Sequence, residues 1–389
     1  MAENNENIIP GPWEQEAQVD SYYGQYLFDA TKDYERPPFL FSYKDVPFCP
    51  LGEIQAVAGQ KKNGKTFFLT MIMAAGLQPD SERVKRMLPG LKCNTLDVLN
   101  RPMRVLYVDT EMGPLNTMYV QRRIHWLCGW PLRENHERFK VIRLRTMTDG
   151  PDGKPVDVPQ ERAAVMMYWV KHFSPDMIVL DGIRDMVHDM NDNAEAVAFI
   201  SKLMKLSEER NICIWNALHY NPRPGADTES KMRGHLGTEL GNKVSDTFAC
   251  SKKKEANGTV SFKVKQVDAR NKDVEDIHFI VDDFEEEGYS IPQIVGEDYA
   301  QLIDEQVTSH NVEDVRRWII KHRDEVEWPA GCRELERKVF APEGVGEEEA
   351  KVLMKMAVNR RLLFKQGKDE MKPGQKTARL KLNPEEFPF

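Results

Sequence analysis

"VAGQKKNGKTFF", residues 57–68, sets small apolar residues before a glycine, follows it with four polar residues, and resumes bulky apolar sequence straight after Gly-Lys-Thr. Gly59, Gly64, Lys65 and Thr66 fall on the spacing G-x-x-x-x-G-K-[ST], the signature of a phosphate-cradling loop. Each part has a physical task. The backbone N–H groups of Gln60, Lys61, Lys62 and Asn63 converge on phosphate oxygens, and the glycines allow close approach and positive φ. Lys65 reaches the outer phosphates and Thr66 offers its hydroxyl to Mg²⁺. From Thr66 and Phe67 onward "TFFLTMIMAAGL" reads as an apolar helix whose positive end faces the same anion. With the strand-like "IQAVAG" before it, the stretch predicts a strand, loop and helix that bind a nucleoside triphosphate, with ATP and Mg²⁺ as cofactors.

A triphosphate site needs a carboxylate near the metal, and "MIVLDG" (177–182) supplies Asp181 after four apolar residues. Hydrolysis needs a group to orient water. "RVLYVDTEMG" (104–113) puts Asp109 and Glu111 at another strand's C-terminal end, the edge where ligands bind in such sheets, and Glu111, just past the strand, is the expected base. "ICIWNALHY" (212–220) brings His219 to a fourth strand tip, placed to sense the γ-phosphate.

Between these runs lie helical patterns, "PQERAAVMMYWVKHF" (159–173) and "NAEAVAFISKLMKLSEER" (193–210). Apolar strands alternating with helices imply an α/β fold with a mainly parallel sheet flanked by helices. After residue 244 "VSDTFACSK", "TVSFKVKQVD" and "DIHFIVDD" read as antiparallel strands extending one edge. A 45–290 core is expected, preceded by a 1–44 arm carrying Trp13, Tyr22, Tyr23, Tyr26 and Phe28, and followed by a 291–305 linker.

Residues 306–389 predict three helices, near 311–323, 332–340 and 346–359, then two strands around a charged turn, the outline of a winged helix. Ten Lys or Arg stand between Lys351 and Lys381 against Asp369 and Glu370, although the whole chain carries −8. A basic end on an acidic body points to an anionic partner. Lys351, Lys355, Arg360 and Arg361 on the last helix and Lys376 in the wing are the expected duplex DNA contacts.

The 389 residues and 41% hydrophobic content allow a sizeable core and exclude a disordered chain. No run approaches the roughly 18 apolar residues of a membrane helix, and the polar, acidic N-terminus is unlike a secretion signal, so a cytoplasmic protein without a membrane partner is expected. The six cysteines are scattered singly, against a zinc site.

"GQKKNGKT" (59–66), "VLYVDTEM" (105–112), "MIVLDG", "NALHY" (216–220) and "VKQVDARN" (264–271), in this order, resemble the RecA-like ATPases, nearest the DnaB-type and plasmid RepA-type hexameric helicases. The resemblance covers about residues 45–285. It implies that Glu111 is catalytic, that subunits form a homo-oligomeric ring or filament, and that Arg270 is inserted into a neighbour's ATP site. The family's Lys-x-Arg here reads Asp268-Ala269-Arg270, so the lysine is missing. The resemblance also implies single-stranded DNA in a central channel, contacted from 221–239 by Arg223, Lys231 and Arg233; the acid-rich 183–193 stretch suits DNA poorly. The expected activity is an ATP-driven DNA helicase or remodeller of a plasmid or other mobile element. The alternatives are an ATP-gated DNA-binding or loading factor that does not unwind, and a P-loop small-molecule kinase.

Overall fold

The structure, a computed structural model, describes residues 23–24, 26–220, 232–254, 260–270, 272–284, 289–296, 310, 312–359, 362–365, 379–384 and 386–387. Residues 1–37 form a unit of their own. Within it the Asp29 carboxylate accepts from the Thr31 N–H and hydroxyl, at 3.0 and 2.6 Å, and Phe28 stacks on Tyr34 at 4.6 Å.

The second unit begins at Pro38, with strands β1 (Phe39–Tyr43) and β2 (Val46–Pro50) paired as a hairpin. The sequence-based boundary at 44/45 falls in its turn. Leu40, Phe41 and Phe48 are fully buried; at roughly 1.5–3 kcal/mol for each such side chain, they tie the hairpin to the core. Of the prolines in "ERPPFLFSYKDVPFCP", Pro37 and Pro38 precede β1 and Pro50 ends β2, while Pro47 lies within β2, where a missing N–H costs little because β2 is the edge strand of its sheet. A third strand, β4 (Leu91–Cys93), pairs with β1.

Among the described residues the main sheet has nine strands. In chain order they are β3 (Ile54–Gly59), β5 (Val105–Asp109), β6 (Phe139–Arg143), β7 (Met177–Asp181), β8 (Cys213–His219), β9 (Asp246–Lys254), β10 (Val260–Ala269), β11 (Ile277–Phe284) and β12 (Tyr289–Val295). Their spatial order is β12-β11-β10-β9-β3-β8-β7-β5-β6. β9 through β6 run parallel, and β10 to β12 add antiparallel pairs at one edge. β9 corrects the sequence reading: it is antiparallel to β10 but parallel to β3, because the Gly234–Lys243 helix returns the chain to the start of the sheet.

The helices Lys65–Leu77 and Pro114–Cys128 cover one face with the hairpin, around Phe68, Trp215 and Phe248. The helices Val158–Phe173, Asn193–Arg210 and Gly234–Lys243 cover the other, over Ile54, Leu106, Ile178 and Ile214. Strands buried on both faces explain the unbroken apolar runs. No helix among the described residues is long and apolar enough to cross a membrane.

Past residue 310 come the helix Val312–His322, strand β13 (Ala330–Gly331), the helical run Cys332–Phe340, the helix Glu347–Asn359, and strands β14 (Leu363–Lys365) and β15 (Arg379–Leu382). β15 lies between β13 and β14, antiparallel to both. Trp318, Phe340 and Leu353 anchor a core of their own, and Met356 packs on Ile280 and Val295 of the main sheet. The helices match the sequence reading because each carries an apolar stripe at helical spacing.

Candidate active site at the sheet's carboxyl edge

β3 is buried throughout and ends at Gly59, where a Cβ would stand 2.6 Å from the Cys250 carbonyl oxygen. The chain turns through Lys62, φ 63°, and Gly64, φ 89°. Gly64 has no substitute: besides its left-handed backbone, a Cβ there would meet Phe262 at 2.6 Å and Phe279 at 3.0 Å. The helix Lys65–Leu77 starts with no side-chain cap and no acidic residue in its first turn, so its first N–H groups and positive dipole end suit an anion. Gln60, Lys61 and Lys62 are exposed, Asn63, Thr66 and Phe67 half-buried. Arg123 lies over the Phe67 ring at 4.3 Å.

Lys65 is buried beneath this loop. Its Nζ donates to the carbonyls of Gly59 and Gln60, at 3.2 and 3.1 Å, and lies 3.0 Å from His219 Nδ1. Burial draws the ammonium below its ordinary pKa, while Asp181, Cys250 and Glu111 pull it back. An ammonium only donates, so His219 Nδ1 accepts, and a neutral ring carries its proton on Nε2. That nitrogen is 3.7 Å from Glu111 Oε1. His219 holds the Glu111 carboxyl below its ordinary pKa against the opposing effect of burial, with Lys65 and Lys61 assisting. Glu111 is therefore ionised at neutral pH.

Thr66 Oγ1 donates to Asp181 Oδ2 at 2.8 Å, and Tyr107 donates its hydroxyl to the same oxygen at 2.9 Å. Burial raises the Asp181 pKa, and these two donors oppose it. β7 is not adjacent to β3, since β8 runs between them; Asp181 still reaches Thr66 because strand tips splay over the loop in a twisted sheet.

Asp109 is no rival to Glu111. It is fully buried: Oδ1 accepts from the N–H groups of Glu111 and Met112, at 3.0 and 2.8 Å, and Oδ2 from the Thr117 hydroxyl. Those bonds fix the turn that carries Glu111. Gly182 makes room for that carboxylate, since a Cβ there would stand 2.3 Å from Glu111 Oε1. Sequence reasoning missed Tyr107, Thr117 and Gly182; the one available signal was a polar-tipped ring in an otherwise aliphatic buried strand.

Lys65, Thr66, Asp181, Glu111 and His219 thus come together, and Arg270 does not. Arg270 follows β10, whose last residue pairs with Asp246, and Asp246 pairs with Gln55 near the start of β3. The side chain is therefore at the sheet's opposite end, 3.7 Å from Glu53 and bonded to the Lys243 carbonyl at 3.3 Å. In its own chain it is a surface ion-pairing residue.

Of the expected DNA contacts, Arg233 is exposed at the N-terminus of the Gly234–Lys243 helix, so residues 234–239 of the 221–239 stretch are helical rather than loop. Its N–H donates to the His219 carbonyl at 3.0 Å. Lys351 is exposed and paired with Glu347 at 2.8 Å. Arg223, Lys231, Arg360, Arg361, Lys376 and the Lys355 side chain lie outside the described residues. In the 183–193 stretch His188 bridges Asp157 and Glu195, at 2.8 and 2.7 Å. A groove of about 560 Å³ beside it, lined by Met166, Phe199 and Leu203, holds none of the Lys65 cluster. Of the acids that line it, Asp157 and Glu195 are bonded to His188 and Glu209 pairs with Lys205 at 3.5 Å.

The model of a family described as AAA domain matches residues 31–223, which contain the loop, Glu111, Asp181 and His219. The chain carries a P-loop ATPase domain. No curated protein matches the chain.

Proposed function

We propose that the chain is an ATP-dependent DNA-binding motor, a RepA-like helicase or DNA-remodelling ATPase of a plasmid or other mobile element, hydrolysing ATP between subunits of an oligomer. The observation that carries the reading is the convergence of Lys65, Thr66, Asp181, Glu111 and His219 on one strand-edge loop. The donor set fits magnesium: a hydroxyl and a carboxylate are hard oxygen ligands, beside a glycine-lined cradle that a Cβ would fill. When bound there through Thr66 and Asp181, the ion supplies charge neutralisation for the phosphates. Lys65 exchanges its loop carbonyls for phosphate oxygens. Glu111 orients the attacking water and takes its proton on a carboxylate oxygen. His219, between Lys65 and Glu111, registers the γ-phosphate.

Two features support the DNA and oligomer parts. Tyr220 and Met232 form a bridge and the Arg233 N–H donates to the His219 carbonyl, so a shift at His219 is passed to the two residues that flank 221–231, the stretch whose Arg223 and Lys231 are the proposed DNA contacts. Arg270 lies at the sheet end away from its own loop, where it serves a neighbour's site or none. We read residues 306–389 as a winged helix whose basic hairpin contacts duplex phosphates, which makes binding steeply salt dependent.

ATPase rate with and without single-stranded DNA, alongside mass by light scattering with a non-hydrolysable ATP analogue, tests this. DNA is expected to raise turnover and the analogue to raise mass. A monomer with unstimulated turnover contradicts the reading and favours a P-loop kinase. The Arg270–Glu53 pair and Asp268 at the missing lysine favour a second reading, an ATP-gated DNA-binding factor without unwinding. Strand displacement on a forked duplex separates the two.

A further inference from the structure

We propose that Tyr107 is a positioning residue for the magnesium site, its hydroxyl fixing the Asp181 carboxylate that receives the ion. The inference rests on the ATPase reading above. Tyr107 is fully buried in the middle of β5, where it pairs with Val179 and so shares a sheet face with Asp181, two residues further along β7. Aliphatic side chains fill the neighbouring positions of both strands. A phenol here serves packing no better than Phe, and its hydroxyl needs a buried partner, which it finds 2.9 Å away in Asp181 Oδ2.

That oxygen is held twice, by Tyr107 and by Thr66 at 2.8 Å. Among the described residues Oδ1 receives no protein hydrogen bond. The division matters because an aspartate's terminal torsion is broad and nearly two-fold, so an untethered carboxylate exchanges its oxygens freely. Two donors on one oxygen break that symmetry and leave the other for the ion or its water shell. The tethers differ in permanence. Thr66 is itself a candidate ligand that a bound nucleotide and ion would engage, whereas Tyr107 is fully buried in β5, with its hydroxyl on Asp181, and is not a candidate ligand. It therefore keeps Asp181 set while the ligands around it are exchanged. Partners of this kind, bonded to a metal's ligands, carry about 10- to 100-fold of metal affinity.

Tyr107→Phe keeps the ring and removes one buried oxygen. The test is binding of a fluorescent ATP analogue by the full chain, in EDTA and across a Mg²⁺ titration, with melting curves in EDTA as a check on folding. In Tyr107→Phe the Mg²⁺ concentration at half-effect is expected to rise about 10-fold or more, with binding in EDTA and the melt close to wild type. An unchanged Mg²⁺ half-effect overturns the proposal. So does an equal loss of binding with and without Mg²⁺, which would make the hydroxyl a matter of packing only. Wild-type protein that fails to bind the analogue in Mg²⁺ sinks the nucleotide reading itself, a different outcome from either.

Discussion

Glu111→Gln is expected to lower ATP turnover by about 10²- to 10⁴-fold, the range carried by a positioned acid or base, while leaving nucleotide affinity within a few-fold of wild type. The substitution keeps the shape of the side chain. Gly182 still leaves room beside it, and Asp109 still binds the N–H groups of residues 111 and 112, so the turn survives. What is lost is a carboxylate whose pKa the His219 hydrogen bond lowers, and an amide cannot take a proton from water. Single-turnover hydrolysis together with equilibrium binding of an ATP analogue checks this. Equal losses in both would make Glu111 a binding residue, and undiminished turnover would move the base elsewhere.

Lys65→Ala is expected to remove tight nucleotide binding and to cut turnover by at least about 10²- to 10³-fold, the cost of deleting a single preorganised charge-stabilising donor. The ammonium is buried among main-chain carbonyls, and burial works against its charge. The variant should therefore melt near the wild-type temperature without nucleotide and gain none of the wild type's stabilisation when Mg²⁺ and the analogue are added. A variant that still gained that stabilisation would mean that nucleotide binds away from the loop.

The loop was legible because its chemistry lies in one contiguous run, where glycine spacing, a lysine and a hydroxyl each have a local reason. Asp181, Glu111 and His219 were legible because each ends an apolar strand, and in a parallel sheet the strand tips share one edge. Strand order was not legible. Nothing local in "MIVLDG" says that β8 separates it from β3, and nothing in "VSDTFACSK" tells a parallel pairing from an antiparallel one. The 39–50 hairpin was hidden by its prolines, of which Pro47 stands inside β2 and is tolerated because that strand is an edge. Asp109 and Glu111 look equivalent on paper. Their difference is burial and donors: Asp109 has both carboxylate oxygens bonded, Glu111 leans past the strand into the site. Arg270 rested on resemblance, and its position at the opposite sheet end follows from β10 running antiparallel to β9, which no local pattern at 264–271 records.

A crystal structure with Mg²⁺ and a non-hydrolysable ATP analogue tests the central claim most directly. The account predicts phosphates against the amides of residues 60–66 with Lys65 among their oxygens, the ion beside Thr66 and Asp181, and Glu111 facing the terminal phosphorus. Nucleotide bound elsewhere, or bound at the loop with Asp181 and Glu111 turned away from it, would contradict it.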